Sequence, residues 1–271
     1  SVMQGRLTPS RGRGIQFFPF DSWQAEIPKA ATVGLDGIEF VFDFEMYKEN
    51  PLWTVEGRKE IKRLIKHSGV KIRHICTRFF LERPFFRVTP DITRANVVIL
   101  KELINNAVEI GAANIEIPAL ENSSIKTQEE EKIFLDAVGS CIPLAQSAGI
   151  AMSIESDFNP QRLVKFIASF KNLPLGIAYD SGNSASLGYD CREEISVLGP
   201  WINNIHIKDR VRNGGNVPLG SGSVNFKDLF GSLKLINYRG DFTLECARGE
   251  DSLEEKTVKQ QLAFLEECLK A

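Results

Sequence analysis

Short apolar runs alternate with longer amphipathic segments along the whole chain, and this alternation predicts repeated strand–helix units. The apolar runs are rich in β-branched residues and predict eight strands, near residues 2–6, 36–41, 70–76, 112–117, 149–155, 174–180, 201–207 and 240–245. Apolar residues recur at helical spacing in segments that include Val55–His67, Thr93–Ile110, Glu129–Ala148, Pro160–Phe170, Phe226–Ile236 and Leu253–Leu269. A glycine stands between a helical segment and the next strand at four places: Gly34, Gly69, Gly111 and Gly149. These glycines are predicted to end the helices.

Eight such units indicate a parallel sheet whose faces are covered by helices, because the strands are apolar almost throughout. For a chain of 271 residues, we expect this sheet to close into one (β/α)8 TIM barrel, a single α/β domain over residues 1–271. No glycine-rich dinucleotide-binding motif follows the first strand, which disfavours an open doubly wound sheet.

Composition and charge disfavour several classes of binding partner and cellular location. The chain carries 33 basic and 35 acidic side chains, with a net charge of −2 and no basic run, so a nucleic-acid partner is not expected. The five cysteines are widely spaced, which disfavours a disulfide framework and indicates a reducing, cytoplasmic compartment. No long apolar run or leader pattern predicts membrane insertion or export. Whether the chain forms a homo-oligomer is left open.

Four ionisable residues end consecutive predicted strands: Glu155, Asp180, His206 and Glu245. Because active sites of such barrels lie at the carboxyl ends of the strands, these side chains are expected to converge. Three neighbouring carboxylates repel one another unless a cation neutralises them. Oxygen ligands with one imidazole favour Mn²⁺, Mg²⁺ or Co²⁺, and Zn²⁺ is also compatible. The alternative for any one of them is a helix cap or a surface ion pair.

Several motifs resemble one known family. They are MQGRLTP, GLDGIEF, IPALENSS, YDSGNSASLGYD, HIKDR, PLGSGSVNF and FTLEC. The chain resembles the sugar phosphate isomerase/epimerase family of xylose-isomerase-like TIM barrels. The resemblance implies that Glu155, Asp180, His206 and Glu245 ligate one divalent metal ion. It also implies that Glu155 and Glu245 act as acid and base in proton transfer through an enediolate that the metal stabilises.

Four further residues are candidates for substrate binding. Arg212, six residues after His206, matches an arginine that contacts substrate hydroxyls in the epimerases of this family; the alternative is a solvated loop arginine. Lys208 alternates with His206 toward the same mouth and is expected to hold an oxyanion or a phosphate. Arg6 ends the first strand and lies either in the site or at its rim. Asn183 stands where epimerases of free ketoses carry a histidine, and it can still donate to a hydroxyl.

Two carboxylates, Glu39 and Glu116, fall within the second and fourth predicted strands. A carboxylate inside a barrel needs a partner, so each is expected to hydrogen-bond either the substrate or a metal-binding neighbour. The glycine-rich segment NGGNVPLGSGSVNF precedes a helix and is a weak candidate for donating backbone amides to a phosphate.

The leading hypothesis is a metal-dependent isomerase or epimerase that acts on a small sugar or sugar phosphate. A dehydratase of a polyol or keto-sugar on the same site is the main alternative. An abasic-site endonuclease on this barrel would need more than the three histidines present. A sugar-binding barrel without catalysis is a further alternative. The identity of the sugar and the presence of a phosphate stay open.

Overall fold

The computed structural model describes residues 1–170 and 175–270, and its eight parallel strands form a closed barrel in sequential order. The strands are β1 (Val2–Met3), β2 (Ile38–Val41), β3 (His74–Cys76), β4 (Asn114–Ala119), β5 (Ala151–Ser156), β6 (Leu175–Asp180), β7 (Ile202–Ile207) and β8 (Asp241–Leu244). The predicted fold class and all eight strands are confirmed. Residue 174, the predicted start of the sixth strand, lies outside the described residues.

Helices lie between the strands, and the described residues contain eleven α-helices. They are α1 (Trp23–Thr32), α2 (Val55–Ser68), α3 (Phe79–Glu82), α4 (Pro90–Ile110), α5 (Gln128–Gly139), α6 (Ile142–Ser147), α7 (Pro160–Ala168), α8 (Ser181–Leu187), α9 (Cys191–Leu198), α10 (Phe226–Leu235) and α11 (Glu254–Lys270). The four glycines predicted to end helices all have left-handed backbone conformations, with φ between 72° and 89°. No helix within the described ranges is long and apolar enough to cross a membrane.

One helix prediction was wrong. The segment Glu129–Ala148 is not continuous, because α5 ends at Gly139 and α6 starts at Ile142. Pro143 explains the break, since its ring has no N–H to donate and would clash with the carbonyl of Gly139 in an unbroken helix. The two helices are therefore joined by a short corner.

Aromatic side chains pack together in the first three strand–helix units. Phe42 lies 5.7 Å from Phe79 between ring centroids, and Phe80 stacks on Phe85 at 4.5 Å. Phe40, Phe42, Phe79 and Phe80 are fully buried. These rings fill the space between strands and helices, which leaves the mouth of the barrel to polar side chains.

Candidate active site

A cavity of about 170 Å³ opens at the carboxyl ends of the strands. Five of the residues proposed from the sequence line it: Glu116, Glu155, Asn183, Lys208 and Glu245. The other polar lining residues are Gln16, Cys76, Arg78, Glu121, Arg210 and Asn216. Within the described part of the chain, its lining includes no phenylalanine, so the aromatic cluster packs behind the site and does not form its wall.

Three of the predicted metal ligands converge here. Glu155, Asp180 and His206 each offer a ligand atom, and these atoms lie within 4.8 Å of one another. A register shift between Ile177 and Ala178 precedes the point where β6 places Asp180 beside His206 of β7. Glu245 follows β8 and brings Oε2 to 2.9 Å from His206 Nδ1. The structure therefore brings together all four residues.

The His206 ring is held by carboxylates on both sides. Its Nε2 lies 3.2 Å from Glu39 and 3.1 Å from Glu116 Oε2. Glu39 is fixed in turn, because it accepts hydrogen bonds from Asn204 Nδ2 at 2.8 Å and from the Thr243 hydroxyl at 2.7 Å. Burial lowers the pKa of His206, but the charges of Glu39 and Glu116 outweigh it and raise that pKa well above its usual range. Nε2 therefore donates to these carboxylates, and Nδ1 lies on the side of Glu245.

A buried ammonium links two of the carboxylates. Lys208 Nζ lies 2.8 Å from Asp180 Oδ2 and 2.7 Å from Glu245 Oε1. Asp180 Oδ1 also accepts the backbone N–H of Asn183 at 2.8 Å, which caps α8. Asp180 therefore fulfils the helix-cap alternative while it also lies in the cluster. A Cβ at Gly182 would lie 2.7 Å from Lys208 Cγ, so this glycine leaves room for the lysine stem.

The two candidate acid–base residues have opposite electrostatic surroundings. Burial, with added repulsion from Glu116 and Asp180, raises the pKa of Glu155 well above its usual range. Burial would also raise the pKa of Glu245, but Lys208 and His206 more than offset it and hold that pKa below its usual range. These surroundings favour the protonated form of Glu155 and the ionised form of Glu245. Such a divergence is how one site supplies an acid and a base at the same pH.

The donor set fits a divalent cation. His206 Nδ1 is buried and lies 2.9 Å from Glu245 Oε2. Glu116 Oε2 is likewise buried without a directed hydrogen bond, despite its 3.1 Å approach to Nε2. A buried imidazole nitrogen that faces carboxylate oxygens matches the oxygen-rich ligation with one histidine that Mg²⁺ and Mn²⁺ accept.

Asn183 lies at the site, as predicted from its place after Asp180. Its Nδ2 donates to Glu155 Oε1 at 2.8 Å, and its Oδ1 accepts from an Arg210 terminal nitrogen at 2.7 Å. Arg210 was not predicted from the sequence, although it follows Lys208 by two residues, just as Lys208 follows His206. Arg210 also donates twice to the Gly214 carbonyl, at 3.0 and 2.8 Å.

Arg212 and Arg6 lie elsewhere in the structure. Arg212 is exposed and its guanidinium lies against Gly188, outside the cavity lining. Arg6 is buried below the rim, where its Nε donates to the Cys246 carbonyl at 3.1 Å and a terminal nitrogen donates to the Ile15 carbonyl. A substrate contact by either arginine stays a prediction.

Arg78 is a second cavity residue that the sequence analysis missed. It follows β3 by two residues, and its Nε donates to Asp43 Oδ1 at 2.8 Å. Asp43 is held by the backbone N–H of Phe18, which donates to its other oxygen at 2.7 Å. Its position just beyond a strand's carboxyl end is the signal that could have identified it.

The glycine-rich segment is organised around a buried carboxylate. Asp209 accepts the backbone N–H groups of Gly222 at 2.8 Å and Val224 at 3.1 Å. A Cβ at Gly222 would lie 2.2 Å from Asp209 Oδ1, which explains the glycine there. These two amides are therefore engaged within the protein and do not face a ligand.

Comparison with known proteins identifies the family. Residues 27–268 match the family model described as Xylose isomerase-like TIM barrel. The chain belongs to this family. The prediction of this family from the sequence motifs is confirmed, and sugar epimerases are among its curated relatives.

One relative is the putative L-ribulose-5-phosphate 3-epimerase SgbU of Haemophilus influenzae, 28% identical over 240 residues that cover 83% of each chain. Among solved structures, D-allulose 3-epimerase from Methylomonas sp. in complex with D-allulose superposes with a TM-score of 0.77 at 16% identity, over 98% of this chain and 96% of that one. A xylose isomerase-like TIM barrel protein from Mycobacterium smegmatis in complex with magnesium gives 0.70 at 19% identity, over 99% and 97%. These two likenesses establish the fold.

Proposed function

We propose that the protein is a divalent-metal-dependent isomerase or epimerase of a small ketose or ketose phosphate. The observation that carries the proposal is the convergence of Glu155, Asp180 and His206 at the barrel mouth, with Glu245 Oε2 at 2.9 Å from the His206 ring. The names of the curated relatives, which include L-ribulose-5-phosphate 3-epimerases, support a sugar phosphate as substrate.

Each residue has a definite task in this proposal. Glu155, Asp180, His206 and Glu245 would hold the cation, which polarises a ketose carbonyl and makes the neighbouring C–H bond more acidic. Glu245, whose ionised form Lys208 favours, would take the carbon-bound proton, and Glu155 would deliver a proton from its protonated form to the opposite face. Delivery to the same carbon would give the epimer. Delivery to the neighbouring carbon, with a hydroxyl proton passing between the two oxygens, would give the aldose–ketose isomer. Proton exchange with water would then restore both carboxyls.

Asn183 and the Glu39–His206 pair support these tasks. Asn183 orients Glu155 through its 2.8 Å hydrogen bond, and the carboxylate of Glu39 holds the Nε2 edge of the His206 ring at 3.2 Å. Such supporting partners tune both the ligand orientation and the metal affinity.

Proton exchange tests the proposal directly. The Mn²⁺-loaded protein is incubated in D₂O with ketopentose 5-phosphates and free ketoses, and deuterium at carbon is followed by NMR. We expect exchange with epimer formation, which Glu155→Gln and Glu245→Gln should each abolish. The exposed Glu129 provides the matched control, Glu129→Gln. Absence of exchange with every sugar would contradict the proposal, and a deoxy or unsaturated product would indicate a dehydratase.

A further inference from the structure

Three cationic side chains line the cavity, and they differ in how far the protein already uses them. Lys208 is engaged by two carboxylates, Asp180 and Glu245. Arg210 donates from all three of its guanidinium nitrogens, to the Gly214 carbonyl and to Asn183. Arg78 uses its Nε with Asp43, and within the described ranges no protein group accepts a hydrogen bond from either of its terminal nitrogens. Arg78 is therefore the lining cation whose two terminal nitrogens are both left for a ligand.

The guanidinium of Arg78 is held in place before any ligand arrives. Its bond to Asp43 fixes the Nε edge, and the backbone N–H of Phe18 fixes Asp43. The Arg78 side chain is 27% exposed, so its terminal nitrogens reach water at the cavity. A fixed guanidinium with two terminal nitrogens available is the geometry that binds a phosphate or carboxylate through two parallel hydrogen bonds.

Position in the barrel separates this cation from the carboxylates. Arg78 follows β3, whereas the four predicted metal ligands belong to β5 through β8. In the sequential ring of eight strands, β3 lies opposite β7, which carries His206. An anionic group beside Glu155 and Glu245 would be repelled, but across the cavity it would meet Arg78. In the glycine-rich segment, the amides of Gly222 and Val224 already donate to Asp209.

We propose that Arg78 binds the terminal phosphate of a sugar phosphate while the reacting carbons lie at the carboxylate side of the cavity. This inference rests on the proposed function and deepens it, since it selects a phosphorylated substrate over a free sugar. Asp43 acts as a positioning residue for the guanidinium. Arg78 is thus the residue that determines specificity for the phosphate.

Binding of unreactive polyols tests the subsite without turnover. Ribitol 5-phosphate and ribitol are titrated calorimetrically into the Mn²⁺-loaded wild type, Arg78→Met and Arg78→Lys. Loss of two charge-assisted hydrogen bonds should weaken ribitol 5-phosphate binding about 100-fold in Arg78→Met, while ribitol binding stays within about twofold. Arg78→Lys should retain part of the preference, because a lysine keeps the charge but loses the planar fork.

Arg210→Met is the matched cavity control, and it should weaken both polyols to a similar extent. Thermal unfolding of each variant checks that the fold is kept. Equal affinity of the wild type for both polyols, or an unchanged phosphate preference in Arg78→Met, would overturn the proposal. Tighter Arg78-dependent binding of ribonate than of ribitol 5-phosphate would assign the subsite to a carboxylate and overturn it as well.

The two proposals fail in different ways. If Arg78-dependent phosphate binding is measured but no sugar exchanges deuterium, the phosphate subsite stands and the proposed reaction is wrong. If sugars exchange deuterium and Arg78→Met treats phosphorylated and free ketoses alike, the reaction stands and the subsite is wrong.

Discussion

The ammonium nitrogen of Lys208 lies 2.7 Å from Glu245 Oε1, so a positive side chain already stands among the carboxylates at the barrel mouth. It also reaches Asp180 Oδ2 at 2.8 Å, and both carboxylates are nearly inaccessible to solvent. Two buried negative charges would be costly without this cation. Lys208 therefore stabilises the folded protein before a metal ion binds.

Replacement of Lys208 by methionine should destabilise the metal-free protein. Breaking a buried ion pair from one side leaves uncompensated charge and costs about 3–5 kcal/mol. We expect the free energy of unfolding, measured in urea with a chelator present, to fall by this amount. Added Mn²⁺ should stabilise Lys208→Met more than the wild type, because the cation then supplies the missing charge. Lys259→Met, at an exposed position, should change neither quantity, and equal stability of Lys208→Met and wild type would contradict the argument.

Replacement of Glu39 by glutamine should weaken metal binding although Glu39 lies outside the cavity lining. The carboxylate accepts a hydrogen bond from His206 Nε2–H, and Nδ1 faces Glu245. A glutamine can present an N–H to the ring instead and so disturb the orientation of the ring. Loss of such an orienting partner typically lowers metal affinity about 10–100-fold. Calorimetric titration with Mn²⁺ measures this, with Glu129→Gln as control, and an unchanged affinity would show that Glu39 does not position His206.

The barrel and the convergence of its ligands were predictable because both depend on periodic features. Glu155, Asp180, His206 and Glu245 each follow an apolar run, and a parallel sheet brings such positions to one end. Strand lengths were less predictable. The first strand was expected over residues 2–6 but ends at Met3, since Gly5 adopts a φ of 87° and turns the chain toward Glu26, which accepts its backbone N–H.

The positions of the arginine side chains could not be predicted from the sequence. Arg212 was chosen by its distance from His206, but the chain turns after β7, where Arg210 pairs with Asn216 and donates to the Gly214 carbonyl. This turn leaves Arg212 exposed beside Gly188 and brings Arg210 to Asn183. Arg78 depends on Asp43 from another loop. Long side chains anchored by distant loops follow no period along the sequence, so their direction required the structure.

Replacement of Gly182 by alanine should crowd the side chain of Lys208 and destabilise the protein. The added Cβ would lie 2.7 Å from Lys208 Cγ and 3.0 Å from its Cβ and Cδ, near the backbone end of the side chain where it cannot swing away. Overpacking of this kind costs about 1–3 kcal/mol. At Gly231, inside α10, an added Cβ would meet no atom within 4 Å, so Gly231→Ala should instead stabilise by about 0.5–1 kcal/mol. Urea unfolding of both variants checks the opposite signs, and a neutral Gly182→Ala would show that Lys208 is free to move.

Glu194, which lies outside the candidate metal site, should make the stability of the protein depend on pH. It lies on α9, is 4% exposed, and accepts hydrogen bonds from the Tyr179 hydroxyl at 2.9 Å and from the Ser184 hydroxyl. Burial raises its pKa to about 7. Between the ordinary value of 4.5 and about 7, the folded state keeps a proton that the unfolded state has lost, so stability falls as pH rises through this window.

One pair of unfolding measurements gives the contribution of Glu194 to the pH dependence of stability and shows whether Glu194→Gln removes it. At roughly 1.4 kcal/mol per pKa unit, the shift corresponds to a loss of ~3 kcal/mol between the two pH limits. Glu194→Gln cannot ionise and should lose this contribution. We therefore expect the wild type to lose stability relative to Glu194→Gln as the pH rises from 4.5 to 7.5. Both unfolding free energies are measured with a chelator present. A difference that stays constant over this range would mean that Glu194 is ionised in the folded protein throughout.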